Sequence, residues 1–384
     1  MKRIVLSLLT LASLSAASPA SAQDAEPVFT LPLGIGLRIP SYDRVNGLSL
    51  PWGPVIRIPG GRVQIDPTVT YRSNLGEVDP AARMRVAFGH FDSLDVYFGR
   101  GTFTNDSWIR SDLINSLAVI GVGSDARNYF RADRATAELS HSFRNETFVF
   151  APFVGALHEL DWSTGIHGPT IDEDARAPWS FFGRNGERKM RRPNPGIAQG
   201  HITSGIVGAR GRYERDELKG SFNVRVEHSF DEPVILDEGH FTQGTFDAKA
   251  NFPTFGLQSF EFRGHALTTG GTMAPSQRFG YLGGAGTLAT VDLLALRGDR
   301  LLFVEGEYHF PLVRPLLPFV GAPVITLRYA AGSAGIGTLP DFIQNIGIGL
   351  GVKLVKVEYH IDPNFDHAEF THKNAFTVGF SLDL

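Results

Sequence analysis

The chain has 384 residues, of which 42% are hydrophobic and 20% are charged, and its formal net charge is −4. This slightly acidic balance gives no reason to expect nucleic acid as a partner, and the absence of cysteine excludes disulfides and thiolate metal sites. Beyond the N-terminal segment, no apolar run reaches the roughly 18 residues that a membrane-spanning helix needs, so strands would have to make any membrane crossing.

The first residues have the pattern of a secretory signal peptide. Lys2 and Arg3 precede an apolar stretch, and small residues at 20–22 supply a cleavage site. We predict that residues 1–22 are removed on export. No linker interrupts the rest of the chain, so residues 23–384 are predicted to form a single domain.

Residues of alternating polarity recur along the chain, which predicts β-strands with two different faces. The clearest runs lie at 63–71, 94–98, 148–154, 222–230, 246–252, 260–265, 302–310 and 355–361. One face of these runs is apolar, and the other carries ionisable residues of both signs, which we predict pair with one another. The ionisable set is Arg225, Glu227, Asp247, Lys249, Glu261, Arg263, Glu305, Lys356 and Glu358.

Alternation alone fits either a soluble sandwich with its polar face outside or a membrane barrel with a polar lumen. Two features favour the barrel: phenylalanine, at 29 residues, is frequent near strand ends, and short turns alternate with long connections. We therefore predict an all-β fold, a transmembrane antiparallel β-barrel of about sixteen strands, with twelve to fourteen as the alternative. The sixteenth depends on a weak first strand at Phe29–Arg38.

Two of the long connections invite a local prediction. A short helix is expected over residues 105–120, with Asp106 as its N-cap and Leu113, Leu117 and Ile120 on its apolar face. The connection at 159–200 is rich in Gly, Pro, Arg and Asp and is typical of a solvated loop.

Several blocks resemble the bacterial surface antigen family, which includes BamA and TamA. The blocks similar to that family's sixth loop are Gly283, Gly284, Gly286 and Leu288, then Gly298, Asp299 and Arg300. The blocks similar to the strand after that loop are Glu307, Tyr308, Phe310 and Pro311. Further similar segments are Tyr42–Leu48, Trp108–Arg110 and Arg127–Arg131.

The C-terminus resembles the assembly signal of outer-membrane barrels. Its pattern consists of Thr377, Gly379, Phe380, Leu382 and Leu384. Such a strand has a free edge that can be paired during insertion and then closed against the first strand. The resemblance implies that the barrel assembly machinery acts on this chain.

The chain departs from the family pattern in three ways. The family's loop-six arginine is absent, because Ala289 follows Leu288, and its aspartate partner is missing from residues 319–322. Loss of both partners of a buried ion pair can be nearly neutral, but it puts locking of the loop by that pair in doubt. Between Gln23 and Tyr42 there is no space for the family's periplasmic POTRA modules, which indicates a short form.

The resemblance implies a role in inserting or transporting protein or lipid at the outer membrane of a Gram-negative bacterium, with a passive pore or structural surface protein as the alternative. It implies surrounding outer-membrane lipid and lipopolysaccharide, with client proteins or lipids as cargo, and leaves a homodimer open. We expect no enzyme and no cofactor. His158, Glu159, Asp161 and His167 were weighed as metal ligands in one loop, and Ser204 as a nucleophile, but no spacing supports either.

Overall fold

The structure is a computed structural model. The residues that it describes are 29–58, 60–89, 91–164, 179–181, 190–231, 233, 239–312, 322–352, 355–365 and 369–380. The predicted signal peptide, His167, Leu382 and Leu384 lie outside these residues. No helix in the described ranges is long and apolar enough to cross a membrane.

The described chain is almost entirely antiparallel β-structure. The strands are β1 (Phe29–Thr30), β2 (Ser41–Asp43), β3 (Gly47–Trp52), β4 (Val55–Arg57), β5 (Val63–Arg72), β6 (Glu77–Phe88), β7 (Asp92–Phe103), β8 (Phe130–His141), β9 (Phe143–Arg144), β10 (Phe148–Trp162), β11 (Gly200–Arg215), β12 (Leu218–Asp231), β13 (Phe241–Pro253), β14 (Ser259–Gly271), β15 (Gly280–Leu282), β16 (Leu296–Gly298), β17 (Arg300–Pro311), β18 (Val324–Gly335), β19 (Ile343–Val352), β20 (Val355–Ile361) and β21 (Asn374–Phe380). One α-helix, α1 (Asp112–Val122), follows β7.

From β5 onward, each long strand pairs with the next along the chain, so the sheet is a meander that ends at β21. The predicted first strand at Phe29–Arg38 is not continuous. Pro32 begins a 3-10 turn, Pro32–Gly34, and pairing resumes only at Leu37 and then at β2. Proline lacks the N–H that a strand interior requires, which explains the interruption.

The two faces of the sheet differ as the alternation predicts. In β17, Phe303 and Glu305 are at most 7% exposed, whereas the intervening Leu302 and Val304 are more accessible. Elsewhere, Val154 and other apolar side chains of the opposite face are half exposed. An apolar face of this kind is suited to contact with lipid, and the face that carries the charges is covered.

Most of the long connections lie at one edge of the sheet, and most of the turns at the other edge are short; the connection between β17 and β18 is a long one at the short-turn edge. The connections after β7, β10, β14 and β20 belong to the long-connection edge, whereas the turns after β6, β11 and β19 belong to the short-turn edge. Helix α1 packs against both β2 and β21. Because these strands lie at the two ends of the sheet, the sheet must curl until its ends come together.

The helix was predicted in the right connection, but its start and its buried face were wrong. Ser111 is the N-cap and accepts a hydrogen bond from the backbone N of Ile114, whereas Asp106 lies in a separate 3-10 turn. Leu113 is 47% exposed, and the buried face carries polar Asn115 and Ser116. Asn115 and Ser116 meet a buried hydrogen-bond network, and apolar Ala118 and Val119 are buried beside them, so the buried face is mixed.

Candidate functional site: two inward loops and the strand seam

Loop six, defined here as residues 272–299, folds against the inward face of the sheet. Its short strands β15 and β16 pair with each other. Leu282, Leu288 and Val291 are at most 2% exposed and pack on inward apolar side chains of β14, β17 and β18. Loop six is therefore a packed part of the interior and not a solvent-exposed excursion.

The glycine cluster lies where loop six reverses direction. Gly283, Gly284 and Gly286 have positive φ angles of 124°, 82° and 104°. A Cβ atom at Gly283 would lie 2.0 Å from the carbonyl oxygen of Asp292. Both the conformation and the close approach therefore require glycine at this position.

Three arginines from outside loop six donate hydrogen bonds to three consecutive carbonyl groups at its bend. Arg110 reaches the oxygen of Ala285 at 2.6 Å, and Arg328 reaches that of Thr287 at 2.6 Å. Arg263 donates to the oxygen of Gly286 between them. At this bend, the surroundings supply the cations and loop six supplies the acceptors.

The two wall arginines share one carboxylate. Glu305 lies 3.0 Å from Arg263 and 2.7 Å from Nε of Arg328. All three side chains are largely buried, so the carboxylate offsets two guanidinium charges that would otherwise be uncompensated. This arrangement fixes both donors in the position that loop six needs.

The far end of loop six is bound to β19 and to the connection that precedes β21. Thr290 donates its backbone N–H to Oδ1 of Asn345 at 3.1 Å and accepts from Nδ2 of Asn345 at 2.6 Å. The backbone N of His372 donates to the oxygen of Thr290, and that of Asp292 to the oxygen of Phe370. Loop six is thus tied both to β19 and to the connection that leads into β21.

Gly298, Asp299 and Arg300, where loop six ends, hold the loop against the sheet. A Cβ atom at Gly298 would lie 1.9 Å from the oxygen of Gly335, so the backbones touch there. Asp299 accepts from the backbone N of Gly337 at 2.8 Å, and Arg300 donates to the oxygen of Thr269 at 3.3 Å. These contacts make the block a structural turn.

The residues that resemble the family's strand after loop six point to both faces of β17. Glu307 points inward, 2.8 Å from Nζ of Lys356. Tyr308 and Phe310 are on the other face near the short-turn edge, with ring centroids 4.5 Å apart, and β17 ends at Pro311. The tyrosine hydroxyl donates to Gln258 at 2.7 Å, an anchoring contact typical of an interfacial aromatic residue.

A second segment, residues 104–129, also folds inward, and we name it the inner arm. Trp108 stacks on His265 of β14 at 4.0 Å with nearly parallel rings. The oxygen of Ile109 accepts from Arg263 at 3.0 Å. Arg263 therefore holds the inner arm and loop six at once.

The inner arm meets the start of the sheet through a buried polar network. Arg44, in the turn after β2, is 1% exposed, and its backbone N donates to Asp125 at 3.0 Å. Its guanidinium donates to Asn128 at 3.2 Å and to Asn194 at 2.6 Å. Two of the segments that resemble the surface antigen family, Tyr42–Leu48 and Arg127–Arg131, are therefore brought into contact.

Arg192 and Asn194 are functional candidates that the sequence did not indicate. Arg192 donates to Asn128 at 2.6 Å and is largely buried inside a segment predicted to be solvated. Burial, together with the nearby cation Arg44, lowers the pKa of the Arg192 guanidinium to about 9. The Gly- and Pro-rich composition around it concealed this role.

Among the acidic residues of this region, Asp106 has the largest shift in pKa. It is 1% exposed, and among the described residues only the backbone N of Asn128, at 2.8 Å, donates to its carboxylate. Burial raises the pKa of Asp106 to about 7, against the lowering effect of that hydrogen bond and of Arg192 and Arg127. This group is therefore suited to change charge near neutral pH.

The facing ends of the sheet, β2 and β21, form what we call the seam. Within the described residues, no ladder links β2 to β21. Instead, Ser116 of α1 accepts from the backbone N of Tyr42 at 3.0 Å, and Gly121 lies against the ring of Phe380. The seam is therefore bridged by a helix of the inner arm.

The ionisable residues predicted for the lumen gather into two clusters. In the first, Arg278 pairs with Glu159 and lies 3.1 Å from Glu227, which also pairs with Arg225 at 2.8 Å. The second surrounds Arg328 and contains Arg263, Glu305, Glu307, Lys356 and Glu358. Arg278 was not singled out as a site residue from sequence, although it is the centre of the first cluster.

The remaining predicted lumen residues line the cavities between these clusters. Asp247 lies 2.7 Å from His265 and lines a cavity of about 830 Å³ toward the short-turn edge. Lys249 and Glu261 line a second cavity of about 390 Å³. The interior thus keeps open volume beneath the two inward loops.

The C-terminal pattern is described only in part. Thr377 lies 3.2 Å from Nε2 of His360, and Phe380 contacts α1. Gly379 is opposite Lys356 in the ladder, and Leu382 and Leu384 fall beyond the described residues.

The residues weighed as metal ligands do not lie in one loop. His158, Glu159 and Asp161 are on β10, with His158 on the outward face and the two carboxylates buried on the inward face. In the part of the chain that the structure describes, no group of three or more His, Asp or Glu side chains is placed to hold a metal ion. Ser204 donates to Glu227 at 3.0 Å as a buried strand residue.

A curled antiparallel sheet with an apolar outer face and a charged interior defines a transmembrane β-barrel. Solved structures with this fold include CdiB from Escherichia coli, at 14% identity over 90% of this chain and 61% of that chain, with a TM-score of 0.51. CdiB from Acinetobacter baumannii matches at 10% identity over 89% and 57%, with a TM-score of 0.50. BamA from Haemophilus ducreyi lacking POTRA domains 1-3 matches at 10% identity over 89% and 69%, with a TM-score of 0.54.

At these identities the likeness shows the fold. The chain spans about three fifths of the length of the CdiB chains that it matches. No protein-family model matches the sequence. No curated protein matches it either.

Proposed function

We propose that this chain is an outer-membrane β-barrel that assists the insertion or transport of protein or lipid, through its seam and loop six. The likeness of fold to BamA and CdiB and the resemblance of the loop-six blocks support this role. The observation that carries the proposal is the seam, where β2 and β21 are bridged by α1 in place of a ladder between the described residues.

Such a seam has the chemistry that strand addition requires. The edge of a strand that lacks a ladder presents N–H and C=O groups that can pair with an incoming strand. At the two edge strands themselves, the bridge through α1 includes the hydrogen bond from the backbone N of Tyr42 and the packing contact at Phe380, whereas a continuous ladder would pair the two backbones directly. Displacement of α1 would therefore expose both edges without breaking the rest of the wall.

Loop six would couple movement at the seam to the interior of the barrel. Its far end is bound to β19 and to residues 370–372, directly before β21, and its bend is bound by Arg110 of the inner arm. A movement of β21 or of α1 would thus pull on the same loop. The predicted export by a cleaved signal peptide and the apolar outer surface support a location at the outer membrane. We propose no catalytic step.

A reversible lock tests the role of the seam directly. The chain has no cysteine, so a pair at Tyr42 and Ser116, joined by a short bifunctional reagent, would fix α1 to β2. In proteoliposomes, the unlocked protein should accelerate folding of an unfolded β-barrel client, measured by its heat-dependent gel mobility. The lock should abolish the acceleration, and a cleavable reagent should allow it to return on reduction.

A matched pair at Val304 and Ala331 supplies the control, because these residues are already opposite one another in the ladder between β17 and β18. This control should leave client folding unchanged. Equal activity of the locked and unlocked seam would exclude the proposed route.

A passive pore is the second candidate, and the interior cavity of about 830 Å³ favours it. A large and steady single-channel conductance in planar bilayers, unaffected by the seam lock, would support the pore. A small conductance with client activity that depends on the lock would support insertion or transport.

A further inference from the structure

Four histidines form a row on the outward face of the sheet, at the long-connection edge. His158, His201 and His228 lie on the neighbouring strands β10, β11 and β12, and His240 directly precedes β13. All four are exposed, and each lies within four residues of the end of its strand at that edge. We name these residues the histidine row.

The rings of the row are arranged in two pairs. His158 and His201 have centroids 5.5 Å apart and planes inclined by 22°, and His228 and His240 have centroids 6.1 Å apart. Two imidazoles at this separation can approach one ligand of the size of a phosphate group. Each pair joins two adjacent strands, so the row follows the rim of the sheet.

Hydrogen bonds to the neighbouring strand orient one ring of each pair. Nδ1 of His158 lies 2.9 Å from the hydroxyl of Thr203, and Nδ1 of His228 lies 2.8 Å from that of Thr242. A protonated imidazole donates from both nitrogens. With Nδ1 engaged by threonine, Nε2 is left to donate to a group outside the protein.

Within the residues that the structure describes, few charged groups face the row. Toward β8, Asp133 is held by Arg100 of β7 at 2.8 Å, so these two charges offset each other. On β12, Asp231 is exposed and lies opposite Thr203. The inward neighbours of the row, such as Glu159, are buried on the other face of the sheet.

Away from the rim, the same face becomes apolar. Val154, Val207 and Phe246 follow the row toward the middle of β10, β11 and β13, and they are 52%, 53% and 42% exposed. On the rim side, exposed Leu160 and Phe230 border the row, so the histidines lie at the boundary of the apolar band. In a bilayer, phosphate groups lie directly outside the hydrocarbon, at such a boundary. The row would therefore be at the level of lipid headgroups.

We propose that the histidine row binds phosphate groups of lipid headgroups and that it does so when its imidazoles are protonated. The inference rests on the proposed location in a membrane and goes beyond the transport role. Imidazole ordinarily titrates near pH 6.5, and an adjacent phosphate favours its charged form. A negatively charged membrane surface strengthens the effect at low ionic strength.

A metal ion is the less suitable ligand. Within the described residues, no third imidazole or carboxylate joins either pair to make a group that could hold a metal. Stable sites for metals such as zinc use three or four ligands from the protein. A phosphate group has no such requirement.

The test uses the full-length protein in zwitterionic detergent and short-chain phosphatidic acid as the probe. Binding should be about tenfold tighter at about pH 5.5 than at about pH 8, the two sides of the ordinary imidazole pKa. Inorganic phosphate is a separate arm, and a short-chain fatty acid tests whether negative charge without phosphate is enough. The variant replaces His158, His201, His228 and His240 with glutamine.

His141→Gln is the matched control, because His141 ends β8 at the short-turn edge and lies 2.7 Å from Asp92. The fourfold variant should lose the acid-dependent gain, and the control should keep it. Heat-dependent gel mobility verifies that each variant is folded.

Equal binding by the native protein and the fourfold variant would overturn the site. If inorganic phosphate binds as tightly as phosphatidic acid, the lipid is not the source of the ligand, and that part of the proposal fails. Fatty acid binding equal to that of phosphatidic acid would overturn the choice of phosphate. Client insertion in zwitterionic vesicles is measured separately, so failure of the transport role and failure of this site give different results.

Discussion

Gly121 of α1 lies against the ring of Phe380 in β21, and a Cβ atom at Gly121 would come within 2.8 Å of that ring. The helix can therefore approach the last strand closely only because residue 121 lacks a side chain. Replacement of Gly121 by leucine should push α1 away from Phe380 and loosen the seam. Limited proteolysis should cut the inner arm several-fold faster in this variant than in the native protein.

Leu113→Ala is the matched control for this change, because Leu113 lies on the exposed side of the same helix. It removes helix surface without touching the seam and should leave the rate of proteolysis near that of the native protein. Equal cutting of G121L and the native protein would show that the contact with Phe380 does not hold the inner arm.

Arg328 offers a test of how loop six is held. It pairs with Glu305 and donates to the oxygen of Thr287, and it is 5% exposed. Arg328→Met should destabilise the protein by roughly 3–5 kcal/mol, because one partner of a buried ion pair is removed and the other remains. Denaturant unfolding of the purified protein in detergent measures this difference.

The double variant with Glu305→Gln separates charge from packing. Removing both partners should recover a large part of the loss, as is usual for buried pairs, although Arg263 then loses the partner at 3.0 Å. If the two single changes add without any recovery, the pair does not act as a unit.

The raised pKa of Asp106 predicts that the free energy of unfolding depends on pH. Burial raises its pKa from the ordinary 3.8 to about 7, so the folded protein binds a proton that the unfolded chain has released. Stability must then fall as the pH rises between these two values and stay constant above about 7 for this group. Asp106→Asn cannot ionise and still offers an oxygen to the backbone N of Asn128.

The variant should therefore gain stability relative to the native protein as the pH rises from about 4 to about 7. Thermal unfolding of both proteins at several pH values, read by gel mobility, gives the comparison. A constant difference across this range would mean that Asp106 is ionised throughout.

Much of the sheet could be predicted because alternation is a local property. The pattern around Leu302, Phe303, Val304 and Glu305 assigns each side chain to a face without knowledge of its partners, and the burial of these residues agrees. The interruption at Pro32 does not follow from the weak apolar pattern of residues 29–38, because it depends on the N–H that proline lacks.

The site was harder to predict because it is assembled from distant segments. Asn194 lies 150 residues from Arg44 along the chain, and nothing in its own surroundings indicates that it accepts a hydrogen bond from that arginine. The sequence shows that no arginine follows Leu288. The hydrogen bonds that Arg110, Arg263 and Arg328 donate to the bend of loop six depend on the three-dimensional path of two loops.

Gly283 links the packing of loop six to conduction through the interior. With φ at 124° and the oxygen of Asp292 in the way of any side chain, Gly283→Val cannot be accommodated without displacing the loop. The displacement should release Leu288 and Val291 from the inward face and enlarge the aqueous path. Single-channel recordings should then show a conductance several-fold higher than that of the native protein.

Gly270→Ala is the control for that experiment, since a Cβ atom at Gly270 would meet nothing within 4 Å and its φ is not positive. This change should leave the conductance unaltered, which separates loop displacement from the loss of a glycine as such. If G283V conducts like the native protein, loop six does not limit the path, because a folded barrel with that loop displaced must have a wider interior. The constriction would then have to be formed by the inner arm, which remains bound to β2 through Ser116 whatever the position of loop six.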